Sequence, residues 1–168
     1  MRDSAYNIIS AFYESLRGFF PAYEGNPCEE CNVCCKRIAN LGVSEMEMDY
    51  VEEYLSREKP GPEYEERLRD FKRFIGETPD QKNGQTCPFF SEELKGCSIY
   101  AARPLSCRTF GCYLNRRYEG MVPDYCLIRD GITYYDDSDF AEKMPFVPDF
   151  YRMQQTYSAA KRSAQGDR

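Results

Sequence analysis

Histidine is absent from all 168 residues. Any metal site in this chain must therefore be completed by sulfur, by carboxylate or by an exogenous ligand. No window holds the roughly 18 consecutive apolar residues of a membrane span. The opening MRDSAYNIISAFYESLRGFF interrupts its apolar positions with Asn7, Glu14 and Arg17. That is the pattern of an amphipathic helix, unlike the unbroken apolar core of a signal peptide. Basic charge is in deficit: 22 Lys and Arg against 28 Asp and Glu leave a formal charge of −6, which disfavours nonspecific attraction to nucleic-acid phosphates or an anionic membrane. Neither nucleic acid nor membrane is the expected partner; a metal, a small molecule or another protein is. None of the eleven glycines forms a GxGxG or GxGxxG group, so the phosphate- or methyl-donor-binding turn of a doubly wound fold has no candidate.

What is present suits one folded domain over residues 1–168. Apolar residues make up 42% of the chain and aromatics 15%, enough for a packed core. Ile8, Phe12, Leu16 and Phe19 recur at helical spacing before Pro21, predicting a helix over residues 4–20. A second helix opens on Ser44 and Glu47, a capping-box pair, carries Met48, Val51 and Leu55, and stops at Pro60-Gly61. A third has Pro62 in its first turn and the stripe Tyr64, Leu68, Phe71 and Ile75. The stretch CPFFSEELKGCSIY reads as a hairpin, with Phe89-Phe90 and Ile99-Tyr100 around a Lys95-Gly96 turn and with Cys87 and Cys97 bracketing it. A strand is expected at 132–135, and a last helix from Pro148 to Ser163 carries Phe150, Met153 and Tyr157. The acidic run Asp136, Asp137 and Asp139 reads as a solvated loop. The expected class is α+β: a small, mostly helical domain with one short β-hairpin.

Cysteine is the residue in excess. CEECNVCC places four thiols in eight residues, at Cys28, Cys31, Cys34 and Cys35; a second group follows at Cys87, Cys97, Cys107 and Cys112, with Cys126 beyond it. Nine cysteines cannot all pair within one chain, and without a targeting signal the expected compartment is the reducing cytoplasm, where clustered thiols point to metal or redox chemistry. Thiolates bind soft and borderline metals, and a CxxC spacing reduces the chain entropy lost on chelation. Eight ligands suit zinc in four-cysteine sites or iron in iron–sulfur clusters. The run Cys28-x2-Cys31-x2-Cys34 resembles that of bacterial-type ferredoxins, which inclines the choice towards iron–sulfur, but the count admits both. Metal bound by these cysteines is expected to organise the irregular middle of the domain. The adjacent Cys34 and Cys35 are expected to face different sites, or the two sides of one polynuclear centre, and Cys126 is expected to be an inert thiol.

CEECNVCC, CPFF and CSIYAARPLSCRTFGC together resemble the CxxCxxCC cysteine-cluster family, the YkgJ-like proteins described as zinc- or iron-chelating. The likeness covers residues 28–112. It implies Cys28, Cys31, Cys34, Cys35, Cys87, Cys97, Cys107 and Cys112 as the ligand set, and Ile99-Tyr100, Arg103-Pro104 and Arg108 match its IY, RP and CR elements. Gly111 stands where the family more often has proline, and Cys126 is extra. Two such sites would add negative charge, so Arg103 and Arg108 are candidates to offset it and to donate to sulfur, the alternative for Arg103 being a cap or packing contact. Tyr100 beside them reads as a packed aromatic rather than a catalytic acid. Larger relatives include flagellin lysine methylases, which implies a metal-dependent enzyme as an alternative function; a thiol redox protein is a third. The chain has CxxCxxCC where radical enzymes need CxxxCxxC, and redox CxxC motifs normally stand alone near a βαβ unit.

Overall fold

Ser4 begins the first ordered element by accepting a hydrogen bond from the Asn7 backbone N–H at 3.3 Å, which satisfies one of the orphan donors of a helix start. Helix α1 then runs Ala5–Ser15. The computed structural model describes residues 4–16, 35–36, 42–77, 85–109, 113–121 and 132–166, so Phe19 and the end of the expected first helix lie outside the described residues. The buried line of α1 is Ala5, Ile9 and Tyr13, with Leu16 following. Ile8 and Phe12 flank it, partly buried. The stripe is broader than its strongest apolar residues suggest because aromatics meet both edges: Phe12 lies 5.1 Å from Phe150, and Tyr13 meets Tyr50 edge-on at 6.0 Å.

Helix α2, Glu45–Glu58, has the capping box foreseen at Ser44 and Glu47. It buries Met46, Tyr50, Val51 and Leu55, with Met48 at the half-buried margin. The chain turns at Gly61, whose φ of +154° is a conformation that a side chain disfavours. Pro62 at the first position opens α3, Pro62–Gly76. Phe71 and Phe74 are buried there, and Phe71 stacks on Phe89 at 4.9 Å.

The hairpin is shorter than expected. Strand β1, Phe90–Ser91, pairs antiparallel with β2, Gly96–Cys97, in the register Phe90 to Cys97 and Ser91 to Gly96. Cys97 is thus within a strand and not outside the hairpin, while Tyr100 falls in a 3-10 turn, Tyr100–Ala102. Lys95 takes φ +46° to close the connection. A short helix α4 follows at Leu105–Thr109. The expected strand at 132–135 is β4, Thr133–Tyr135, and it pairs in parallel with β3, Tyr113–Asn115, a partner the local pattern did not announce. A 3-10 turn at Arg116–Met121, helix α5 at Phe140–Lys143 and the long helix α6 at Val147–Gly166 complete the described chain.

The domain is α+β and mostly helical, with one antiparallel hairpin and one small parallel pair. Its core gathers Ile9 and Tyr13 of α1, Val51 and Leu55 of α2, Phe71 of α3 and Phe150 of α6 around Phe89, Ile99, Ala102 and Leu105 from the cysteine-bearing middle. Among the described residues no helix is long and apolar enough to cross a membrane.

Candidate metal centre

Cys87, Pro88, Phe89 and Phe90 form a tight turn, because proline presets the φ of its second position. The Phe90 N–H donates to the Cys87 carbonyl at 2.9 Å. The other side of the turn is equally committed: the Phe89 carbonyl accepts from the Ser98 N–H at 2.8 Å and from its hydroxyl at 3.0 Å. Arg67 reaches across from α3 and donates to the carbonyls of Pro88, at 3.0 Å, and Phe90, at 3.1 Å. An ion pair with Glu63 on the preceding turn of α3 steadies the guanidinium.

Onto this turn comes the end of the first cysteine group. The Cys87 N–H donates to the Cys35 carbonyl at 2.7 Å. Lys36 lies over the Phe90 ring at 4.8 Å and pairs with Glu92 at 3.7 Å. Phe90 in turn faces Cys97 across the hairpin. Cys35 is buried, and Cys87, Cys97 and Cys107 are half-buried and pack against the core. One backbone hydrogen bond therefore seats the last cysteine of the first group on the first cysteine of the second, residues 52 positions apart in the chain (87 − 35).

Among the described residues no three or more Cys, Asp or Glu side chains stand close enough together to hold a metal ion. Cys28, Cys31, Cys34, Cys112 and Cys126 lie outside the described residues. The donor chemistry fits a thiolate-bound metal: sulfur ligands without histidine suit zinc or iron, and Cys35 and Cys87 are brought side by side.

Arg103 and Arg108 are occupied with the chain around Cys107. The Arg103 guanidinium stacks on the Tyr100 ring at 3.5 Å, and its Nε donates to the Tyr100 carbonyl at 3.1 Å. Arg108 stacks on Tyr13 at 3.9 Å, donates from Nε to the Arg103 carbonyl at 2.9 Å and also donates to the Ala101 carbonyl. Both thus serve as packing and capping groups for the turn that leads into α4. Tyr100 is half-buried beneath Arg103.

The residue that local reasoning missed is Glu47. It is 2% exposed, and its carboxylate does more than close the capping box. Oε2 accepts from the Ser44 N–H and hydroxyl, both at 2.8 Å, while Oε1 accepts from the Leu105 N–H at 2.7 Å and from the Tyr13 hydroxyl at 3.4 Å. Burial pushes this carboxyl above its ordinary value against the pull of those donors. Burial, followed by the Glu47 charge, likewise pushes the Tyr13 phenol up. The capping-box spacing announced the first role; nothing local announces a partner 58 residues away.

A cleft of about 420 Å³ opens beside α4, lined by Gly42, Ser106, Thr109, Met144, Phe150 and Gln154 among others. It takes the Leu105, Ser106 and Thr109 side of the helix, whereas Cys107, at about 100° per residue, falls on the opposite side. The acidic run is an exposed loop that closes on itself, with the Asp136 N–H donating to Asp139 at 2.7 Å, and it ties β4 to β3 through Asn115 and Asp137 at 2.9 Å.

The family described as "CxxCxxCC: Putative zinc- or iron-chelating domain" matches residues 27–127, well over half of the chain. The chain belongs to this family. No curated protein and no solved structure matches it. The CxxCxxCC domain so bounded contains all nine cysteines, together with α2, α3 and Glu47. Helices α1 and α6 fall outside it and supply much of the core on which it rests.

Proposed function

We propose that the chain is a cytoplasmic metal-binding protein in which two groups of cysteines together hold one metal centre or two adjacent ones. The ligand set is Cys28, Cys31, Cys34, Cys35, Cys87, Cys97, Cys107 and Cys112. The observation that carries this reading is the hydrogen bond from the Cys87 N–H to the Cys35 carbonyl at 2.7 Å, because it joins the two groups at their nearest members. With histidine absent, an all-cysteine shell is the simplest way to complete a centre there. The three-cysteine run with its distant completing ligands favours an iron–sulfur cluster over zinc. Thiolate sites of either kind carry net negative charge, so Arg103 and Arg108, on either side of Cys107 in the chain, lower the cost of assembling them through their field.

Anaerobic purification followed by metal analysis, acid-labile sulfide assay and a visible spectrum tests the proposal. Brown protein with stoichiometric iron and sulfide is the expected result. Colourless protein with zinc would keep the cysteine site and replace the cluster; protein with neither metal would overturn the reading.

A further inference from the structure

We infer that Glu47 is a positioning residue for the metal centre, holding the helix of Cys107 against the start of α2 with its carboxylate. The inference rests on the reading of Cys107 as a ligand. Helix α4 has five residues, far too few to be stable by its own hydrogen bonds. Its place is set by what grips it. At its start, the Leu105 N–H is an orphan donor that Glu47 Oε1 satisfies at 2.7 Å. One residue further, the Ser106 hydroxyl donates to the Gly42 carbonyl at 2.8 Å. Gly42 stands two residues before Ser44, the cap of α2, and Ser44 is held by Oε2 of the same carboxylate.

Helix α4, which carries Cys107, is therefore referenced to one buried group at the start of α2. Tyr13 adds the first helix to the same group, through its hydroxyl to Glu47 and its ring under Arg108. A cap at a surface helix end needs neither this burial nor a second helix as donor. A displacement of α4 moves Cys107 with it, and a thiolate site requires its ligands in place to within a few tenths of an ångström.

The test is Glu47→Gln, which keeps shape but turns an N–H₂ towards either the Ser44 or the Leu105 N–H, leaving donor against donor. Val51→Ala, a cavity on the same helix, serves as the comparator. In reduced, metal-free protein the iodoacetamide labelling rate of Cys107 is measured relative to that of Cys97 by peptide mass spectrometry. The ratio is expected to rise about tenfold in Glu47→Gln, as for loss of a charged hydrogen bond, and to stay within about twofold in Val51→Ala, where only global opening increases. In metal-loaded protein, loss of metal to a chelator is expected to be about 10- to 100-fold easier in Glu47→Gln. An unchanged labelling ratio, or an equal rise in Val51→Ala, overturns the inference. If the wild type binds no metal, the proposed function falls, and the labelling ratio still decides the positioning. Should Glu47→Gln fail to fold, Tyr13→Phe removes one donor to Oε1 and keeps the ring; a rise of about threefold supports the inference and no rise overturns it.

Discussion

Arg108 ties helix α1 to the turn that leads into α4. Its guanidinium covers Tyr13 of α1, and its donors go to the carbonyls of Ala101 and Arg103. A lysine keeps the charge but neither the planar stack nor the fork. Arg108→Lys is therefore expected to destabilise by about 1–2 kcal/mol, the sum of a partly buried cation–π contact and one backbone hydrogen bond. Urea unfolding checks this, with a lower midpoint at unchanged slope. The cysteines separate by the same residue-level logic. Cys87→Ser keeps the backbone bond to Cys35 and removes only the thiolate, so it should lose metal while retaining helical circular dichroism. Cys126→Ser should leave metal content unchanged, since eight ligands exist without it. Stoichiometric metal loss in that variant would show that the set of eight is wrong.

Among the elements, α6 depends most on charge. It is fastened to α2 by Tyr157 and Lys161 on Asp49, and by Ser158 and Lys161 on Glu45. Hydrogen bonds from Ser158 and then Lys161 hold the Glu45 carboxyl below its ordinary value of 4.5, and the bond to Asp49 holds Lys161 above its ordinary 10.5. A depressed carboxyl contributes stability that is present above its unfolded value and is lost as pH falls through the folded one; a raised ammonium contributes stability that is lost as pH rises through the folded value. Attachment of α6 should thus weaken below pH 4.5 and again above 10.5, by modest amounts because these groups are partly exposed. Amide exchange in α6, corrected for intrinsic rates and compared with α1, should accelerate at the acid end. A uniform change in both helices would refute it.

The elements also explain what was readable in advance. Three helices announced themselves from signals within each segment, Ser44 with Glu47, Pro62 with Phe71, and Ile8 with Phe12 and Leu16, although the most buried line of α1 runs one step aside through Ala5, Ile9 and Tyr13. The hairpin was readable from Phe89-Phe90 and the Lys95-Gly96 turn, whereas the tight turn at Cys87–Phe90 was not foreseen. Pairing of β3 with β4 was not readable either, because parallel partners 20 residues apart (133 − 113) carry no turn signal between them. Met46, not the expected Met48, is the fully buried methionine of α2, and Met48 packs partly buried at its margin. The candidate ligands were named by cysteine spacing together with the flanking IY, RP and CR elements that carry the family resemblance. Arg67 holds the turn of Cys87 and Glu47 the helix of Cys107, over 21 or more and 58 residues, and nothing local marks either of these long-range contacts.

At the scale of the molecule, one core serves two kinds of structure. The packing of α1, α2 and α6 includes no cysteine in its central contacts, through Ile9, Tyr13, Val51 and Phe150. Among the described residues the middle joins the core through Phe89, Ile99, Ala102 and Leu105, with Cys87, Cys97 and Cys107 packed partly buried against it. Its regular elements there are two-residue strands and a five-residue helix, too short to hold themselves. A structural zinc site is worth on the order of 10–16 kcal/mol at neutral pH in small peptides, as much as the whole stability of a typical domain at about 5–15 kcal/mol. Removal of the metal under reducing conditions should therefore act unevenly. Most helical circular dichroism should remain, because α1, α2 and α6 keep their shared core. Residues 85–109 should exchange faster and become more protease-sensitive, least so in α4, which Glu47, the Gly42 carbonyl and the Arg108–Tyr13 contact still hold. Hydrogen exchange with and without verified metal loss makes the comparison. Equal protection of residues 85–109 in both states would assign the metal a reactive role on a scaffold that stands without it, and collapse of the whole exchange pattern would mean that the helical layer depends on the centre as well.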